Sequence, residues 1–129
     1  MSKTLVVVVP DAEILAFVER WVELLAREDY EAASALPDHH SPQSVWTANQ
    51  IRGAINLHGQ RVTLEGVQDD AEPPIRREVE RWPLRYDGSC GDIWYDLYID
   101  GKYTDMTALF YLRPTDGGIT IHLIDIGVR

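Results

Sequence analysis

Cysteine and long apolar runs are both scarce in this sequence. Cys90 is the single cysteine, so an internal disulfide is excluded and no cysteine cluster is available for zinc. The longest apolar run, LVVVV at residues 5–9, is far shorter than the ~20 residues that span a bilayer. The residues that follow it, PDAE, do not form the small-residue cleavage site of a signal peptide. We therefore expect a cytoplasmic protein with no membrane contact.

Positive charge is scarce as well. Twelve Lys and Arg residues stand against 21 Asp and Glu residues, which gives a formal net charge of -9 at pH 7. Nucleic acid and anionic membrane surfaces would repel such a chain, so neither is expected as a partner. A basic partner protein stays possible, although solubility alone is the commoner reason for such a charge.

The sequence also lacks the motifs of phosphate binding and nucleophilic catalysis. Its glycine-containing segments, DGSCGD and TDGG, are typical of turns. Asp38, His39 and His40 suggest a metal site, but neighbouring loop side chains diverge, and neither His58 nor His122 has ligand spacing to them. We therefore expect no metal and no cofactor.

The N-terminal half has the periodicity of three helices. An amphipathic pattern predicts the first helix over residues 11–27. Asp29 is placed to cap a short second helix, which Pro37 must end because proline cannot continue the backbone ladder. Thr47, with a glutamine three residues later, has the spacing of a capping box for a third helix over residues 48–58.

The C-terminal half changes to the alternating pattern of strands. Asp-Gly pairs at residues 100–101 and 116–117 are hairpin signals. Three helices followed by a meandering antiparallel sheet give an α+β order, in one domain that spans residues 1–129. Pro83 requires an edge position or a bulge in its strand. The predicted strands are a short one at residues 61–66 and longer ones at residues 77–86, 92–99, 102–113 and 119–128.

The first hairpin places two carboxylates opposite each other. If residues 100–101 form a two-residue turn, Ile99 pairs with Lys102, and Asp96 pairs with Asp105. Opposed carboxylates in a partly dry place force one pKa upward, which is how an acid and a base can share a site. In water near the hairpin tip, the same groups would repel weakly or accept hydrogen bonds from loop amides. Both interpretations of this carboxylate pair stay open.

Alternation in the same register assigns a face to each strand residue. The apolar face is expected to meet the helices, and it includes Tyr95 and Phe110. It also receives Asp125, level with Ala108, where an unpaired carboxylate would be costly. The opposite face is aromatic and amphipathic, which usually indicates a partner. Its interface candidates are Trp94, Tyr98, Tyr111 and His122, with Ile124 and Ile126 beside them.

The segment WVELLAREDYEAASAL at residues 21–36, followed by a curved C-terminal sheet, resembles the nuclear transport factor two-like superfamily. This cystatin-like α+β cone fold is shared with ketosteroid isomerase and scytalone dehydratase, and the resemblance covers nearly the whole chain. More narrowly, residues 95–112 and 121–129 are similar to an uncharacterised bacterial family with an Asp-Leu-Thr strand and an Asp-Asp-Ile-His-Val-like C-terminus. Here the strand reads Asp-Met-Thr from Asp105, and Gly127 stands where that family has histidine.

The cone fold implies a sheet that curves around the helices and leaves a pocket open at one end. It also implies an outer sheet face that is available for a dimer. The resemblance therefore implies a homodimer and a small apolar ligand. The pocket candidates are Trp21, Tyr95, Phe110 and Asp125.

Three functions stay open, and no catalytic residue is assigned. The first is a non-catalytic binding module with a small pocket and a sheet-mediated dimer. The second is a proton-transfer enzyme of the isomerase or dehydratase type, using Asp125 or the Asp96 and Asp105 pair. The third is an acidic immunity-type protein that binds a basic toxin. An enclosed pocket that touches a carboxylate would favour a ligand or an enzyme, whereas a filled core with an acidic patch would favour a protein partner.

Overall fold

A computed structural model of the chain describes residues 9–39 and 44–128. Within these ranges, three helices precede and pack against one five-stranded antiparallel sheet, which confirms the α+β order. Residues 5–8 of the apolar run, and His40 of the histidine pair, lie outside the described residues. No helix of the described ranges is both long enough and apolar enough to cross a membrane.

The helices begin at the predicted capping residues. The Asp29 carboxylate accepts a hydrogen bond from the backbone N–H of Ala32 at 3.2 Å. Thr47 and Gln50 form a complete capping box, in which each side chain accepts a hydrogen bond from the other residue's backbone N–H. The third helix ends slightly before its predicted end. The helices are α1 (Asp11–Ala26), α2 (Tyr30–Ala35) and α3 (Ala48–Asn56).

The core lies between the helices and one face of the sheet. Trp21 of α1 is fully buried, its ring meets the Phe110 ring edge to face at a centroid distance of 5.1 Å, and its indole N–H donates to the Ala33 carbonyl at 3.1 Å. Burial of each large apolar side chain of this kind stabilises the fold by about 1.5–3 kcal/mol. The buried stripe of α1 consists of Ile14, Val18, Trp21, Val22 and Leu25.

Five strands form the sheet: β1 (Val62–Thr63), β2 (Arg77–Arg81), β3 (Gly91–Ile99), β4 (Lys102–Thr115) and β5 (Gly118–Val128). Strands β1, β3, β4 and β5 lie side by side in that order, and β2 pairs with the same edge of β3 as β1 does. The predicted apolar face is confirmed, because its tyrosine, methionine, phenylalanine and aliphatic residues are buried, apart from the partly buried Ile119.

The β3–β4 hairpin begins as predicted and then changes register. Asp100 and Gly101 both have positive φ angles, 52° and 75°, as a two-residue primed turn requires, and Ile99 pairs with Lys102. Beyond this pair β4 contains two more residues than β3, so Asp96 pairs with Thr107. The predicted pairing of Asp96 with Asp105 is therefore wrong. Because two extra residues preserve the alternation of faces, the face assignments of β4 survive the shift.

The β4–β5 hairpin also contains a bulge that the sequence pattern did not reveal. Its turn at residues 116–117 and its pairing of Tyr111 with His122 are confirmed. One extra residue in β5 then moves Asp125 opposite Leu109 and Ile126 opposite Ala108. A shift of one residue exchanges the two faces, so the predictions that Asp125 joins the core face and Ile126 the outer face are wrong.

Strand β2 is shorter than predicted. It ends at Arg81, and the chain turns back between Trp82 and Cys90, whose backbone groups are joined by a hydrogen bond of 3.0 Å. Pro83 lies inside this turn, where its missing N–H leaves no ladder position unsatisfied. The Trp82 ring then packs edge to face on Tyr111, so this turn covers part of the outer sheet face.

The free edge of β5 is blocked near its middle by residues from the helical half. Asp38 donates its backbone N–H to the Ile121 carbonyl at 2.8 Å and accepts the Ile121 N–H on its carboxylate at 3.0 Å. The Trp46 indole N–H donates to the Ile124 carbonyl at 3.2 Å. These contacts occupy backbone groups that would otherwise pair with another strand.

Candidate functional site

The segment that joins β1 to β2 wraps around the tip of the β3–β4 hairpin. It crosses the outer sheet face at Gly66, where a Cβ atom would lie 2.3 Å from the Tyr98 ring, so only glycine permits this close approach. Val67 then pairs with the far side of the hairpin, where its N–H donates to the Gly101 carbonyl and its carbonyl accepts from Tyr103. The segment returns through Pro73 to β2. We call residues 64–76 the wrapping loop.

A cleft of about 210 Å³ lies between the wrapping loop and the outer face of β3 and β4. Aromatic rings, prolines and carboxylates line it together, and Arg76 is the one cationic residue among its lining residues. Its lining residues are Pro73, Pro74, Arg76, Trp94, Asp96, Tyr103, Asp105 and Thr107. The two aspartates of the predicted carboxylate pair therefore share one cleft, although they do not face each other across the strands.

Asp96 is fixed at the base of this cleft. Its side chain is only 7% exposed. One carboxylate oxygen accepts the Thr107 hydroxyl at 2.7 Å, and the other accepts the Arg76 backbone N–H at 2.7 Å. These two donors supply the hydrogen bonds that a buried carboxylate needs.

Asp105 lies at the irregular part of β4 and is exposed. Its φ angle of 63° is in the left-handed region, which aspartate tolerates better than most residues. Its carboxylate accepts a hydrogen bond from the Tyr103 hydroxyl, and this bond is the main reason that the pKa of Tyr103 is raised to about 12. Burial and the negative charges of Asp105, Asp96 and Glu72 raise the same pKa further. The phenol therefore lies in a strongly negative field and keeps its proton.

Trp94 forms an aromatic wall of the cleft. The Arg76 guanidinium lies over its ring, 4.6 Å from the centroid, within the range of a cation–π interaction. The indole N–H donates to one carboxylate oxygen of Asp92 at 3.1 Å. Asp92 is 8% exposed, and its other oxygen is buried without a hydrogen-bond partner among the described residues. Desolvation raises the pKa of Asp92, and Glu80 raises it further, while the indole hydrogen bond and Arg76 lower it.

A second cleft, of about 310 Å³, adjoins the first and shares Tyr103 as a wall. Asp69 and Glu72 of the wrapping loop line it with Val67 and Lys102. The Asp69 backbone N–H donates to the Glu72 carboxylate at 2.6 Å, which fixes the loop in this position. The acidic surface therefore continues from the first cleft across Tyr103 to the wrapping loop.

The structure does not bring the four pocket candidates together. Trp21 and Phe110 fill the core against each other, and Tyr95 is buried beside β2, where Arg77 lies over its ring at 4.5 Å. Asp125 lies on the other face, because of the bulge in β5, and accepts the Ile126 backbone N–H at 2.9 Å. Trp21, Tyr95 and Phe110 therefore belong to the packed core, whereas Asp125 lies on the opposite face of the sheet.

The interface candidates lie on the outer face, but other parts of the chain partly cover them. The wrapping loop covers Tyr98 at Gly66, and the turn after β2 places Trp82 on Tyr111. His122 is buried and shares a hydrogen bond of 2.7 Å with the Thr120 hydroxyl. The sheet-mediated dimer stays a prediction.

The described ranges contain no group of three or more His, Cys, Asp and Glu residues with the geometry to hold a metal ion. Asp38, which precedes the histidine pair considered for a metal site, forms two hydrogen bonds with the backbone of Ile121. Cys90 is half-buried, and burial raises the pKa of its thiol, so its reactive thiolate form is disfavoured at neutral pH.

Sequence reasoning found the two carboxylates of the cleft and its tryptophan, but it assigned no site role to the other five lining residues. Arg76 lies just before the predicted strand at residues 77–86 and received no role, and Tyr103 was assigned to the outer face without a role. The wrapping loop has no periodicity that would place it on the sheet. The one local signal was the Pro73-Pro74 pair directly before Arg76, because consecutive prolines stiffen a segment.

Three helices against an open antiparallel sheet define an α+β protein, and a comparison with protein families is more specific. A model of the domain of unknown function DUF7668 matches residues 22–129, so the chain belongs to this family. The searches of curated proteins and of solved structures each found no match.

Proposed function

We propose that this protein is a non-catalytic binding module, and that the cleft of Trp94, Asp96, Tyr103 and Asp105 binds a positively charged group. The observation that carries the proposal is the convergence of two carboxylates and two aromatic rings in one cleft. Aromatic faces and carboxylates both attract a cation, and together they form the usual surroundings of ammonium and guanidinium groups. The net charge of -9 attracts cationic ligands over a longer range.

The hydrogen bonds of the cleft argue against the alternative of a proton-transfer enzyme. A general base needs a carboxylate oxygen that can reach its substrate. Both oxygens of Asp96 already accept hydrogen bonds. Tyr103 has a pKa of about 12 because it donates to Asp105 and lies among negative charges, so it is a weak acid at neutral pH. The hydrogen bonds of Asp96 and the high pKa of Tyr103 therefore favour binding of a cation over transfer of a proton.

A titration followed by nuclear magnetic resonance tests the proposal. The probes are N-acetyl-arginine amide, N-acetyl-lysine amide and, as a neutral control, N-acetyl-glutamine amide, and the readout is the indole N–H signal of Trp94. We expect both cationic probes to shift this signal and the neutral probe to leave it unchanged. Asp105→Asn should weaken binding by about tenfold, because a hydrogen bond between charged groups is lost.

Asp116→Asn is the matched control for this titration, because Asp116 is exposed in the distant β4–β5 turn and the variant loses the same charge. We expect it to bind the cationic probes nearly as the parent protein does. Equal effects of the two substitutions, or equal binding of the neutral probe, would show that the cleft does not recognise a cation.

We also propose that the fold is a nuclear transport factor two-like cone. Support comes from the order of three helices before the sheet, from the packing of those helices on one face, and from two bulges that bend β4 and β5. A cytoplasmic location stays part of the proposal, supported by the single cysteine.

A further inference from the structure

Arg76, a cationic residue of the chain itself, lines the cleft and covers part of its aromatic wall. The guanidinium of Arg76 lies over the Trp94 ring, at 4.6 Å from its centroid, with Asp96 and Asp105 among the other lining residues. A planar guanidinium can stack flat on an indole while all of its in-plane N–H groups remain available to carboxylates, whereas an ammonium group has fewer N–H groups and directs part of them at the ring. The position of Arg76 shows that the Trp94 ring can receive a guanidinium, and the carboxylates of Asp96 and Asp105 line the same cleft.

The contacts that hold Arg76 in this place are weak. Its side chain is 42% exposed, and its ion pairs with Glu78 at 2.5 Å and Glu80 at 3.2 Å join groups that are themselves about half exposed. Exposed ion pairs of this kind contribute little to stability, because water competes for both partners. The Arg76 side chain could move away while the Arg76 backbone N–H keeps its hydrogen bond to Asp96.

Asp92 strengthens the attraction of the Trp94 ring for a cation. Its carboxylate accepts the indole N–H, which raises the electron density of the ring. Its second oxygen is buried and has no hydrogen-bond partner among the described residues, and Arg76 is directed to Glu78 and Glu80. Buried polar atoms without partners are uncommon in folded proteins and often mark a function.

We propose that Arg76 is a displaceable cover of the Trp94 ring, and that an arginine side chain from a basic partner protein replaces it on binding. The inference rests on the proposed function and adds to it the class of partner and a means of regulation. While Arg76 covers Trp94, free cations compete with it and bind weakly. A partner that presents several arginines also gains from the acidic surface beside the cleft.

The surroundings of the cleft fit a protein partner better than a small molecule. The cleft is open and holds about 210 Å³, which is less than most small-molecule sites occupy. The adjoining cleft adds Asp69 and Glu72, and the exposed apolar residue Val67 of the wrapping loop lines it as well. A central aromatic anchor site, an apolar border and an acidic rim together resemble the anatomy of a protein interface, and the charge selects a basic partner.

The test compares Arg76→Gln with Arg27→Gln by calorimetric titration with an oligoarginine peptide, an oligolysine peptide and N-acetyl-arginine amide. Arg27 is exposed at the end of α1 on the helical side of the protein. Its variant therefore loses one positive charge, as Arg76→Gln does, without changing the cleft. We expect Arg76→Gln to bind oligoarginine about threefold more tightly than Arg27→Gln does, because the competing cation–π contact is gone. We also expect the parent protein to prefer oligoarginine to oligolysine.

A measurement on the unaltered protein checks the same inference without a variant. The Nε–H signal of Arg76 is shifted by the ring current of Trp94, and addition of oligoarginine should return it toward the position of a solvated arginine. If the two variants bind oligoarginine equally and the Arg76 signal does not move, Arg76 is a fixed part of the wall and the inference is wrong. If the cationic amide binds in that case, the proposed function survives; if no cationic probe binds, both fail.

Discussion

The hydroxyl of Thr107 donates a hydrogen bond of 2.7 Å to the buried carboxylate of Asp96 across the β3–β4 pair. Thr107→Val removes this donor with almost no change of shape and leaves a buried carboxylate oxygen without a partner. We expect a loss of about 1–3 kcal/mol in the free energy of unfolding, measured by urea denaturation. Thr115→Val, at an exposed position of the same strand, is the control and should change stability little. Equal effects of the two variants would mean that this hydrogen bond makes no net contribution to the free energy of unfolding.

Asp105 controls the ionisation of Tyr103. Asp105→Asn removes the charge that accepts the phenol hydrogen and opposes the phenolate, so the pKa of Tyr103 should fall from about 12 toward its ordinary value. Titration of isotope-labelled tyrosine Cζ signals measures this change. Asp96→Asn should lower the same pKa by less, because its charge is a smaller cause of the shift. A larger effect of Asp96→Asn would show that the Tyr103 hydroxyl points elsewhere.

Ionisation of Asp92 is expected to lower the stability of the fold as the pH rises. Its folded-state pKa is raised, chiefly by desolvation, so the folded protein holds this proton more tightly than the unfolded chain does. The associated stability is present below the ordinary carboxyl pKa and is lost as the pH rises through the raised value. Asp92→Asn has no such proton to lose and keeps an oxygen for the Trp94 indole.

We therefore expect Asp92→Asn to exceed the parent protein in stability by about 1 kcal/mol near pH 7 and to lose this advantage near pH 3. Urea denaturation at both pH values measures the difference. Asp116→Asn, which changes an exposed aspartate of a turn, should show no comparable dependence on pH. A destabilised Asp92→Asn variant at neutral pH would show that the buried carboxylate is satisfied as an anion.

The sheet-mediated dimer makes a prediction about Ile124. This residue is exposed next to the bulge in β5, whereas the aromatic residues of the outer face are partly covered by the chain itself. If the outer face forms a dimer, Ile124→Asp should convert particles of twice the 14.7 kDa chain mass into monomers, as measured by light scattering. Leu57→Asp, at an exposed leucine that follows α3, is the control. A parent protein that stays monomeric at high concentration would exclude the dimer.

Local patterns predicted the elements well because their causes are local. The periodicity of α1, the capping box at Thr47 and the Asp100-Gly101 turn each depend on residues a few positions apart. All three are found in the structure. The face of each β4 residue was also correct, because the two extra residues of that strand preserve its alternation.

The candidate site was less predictable, because it depends on bulges and on a loop that packs at a distance. Asp105 carries only a weak residue-type signal for a left-handed φ angle, since aspartate adopts this region more often than most residues but far less often than glycine. The extra residue of β5 likewise has an ordinary strand sequence, yet it exchanges the faces of Asp125 and Ile126. The wrapping loop reaches the sheet through backbone hydrogen bonds at Val67, and such bonds leave no trace in composition.

The contact between Asp38 and Ile121 has a consequence for the behaviour of the protein at high concentration. An open sheet can grow when a strand of another molecule adds to its edge, and such growth is an early step of fibril formation. Asp38 imitates one residue of that incoming strand, since it supplies both a donor and an acceptor to Ile121. Both backbone groups of Ile121 are therefore already hydrogen-bonded within the chain, so a strand of another molecule cannot pair with them. A compound that prevents aggregation by covering a sheet edge would find no free backbone group at Ile121.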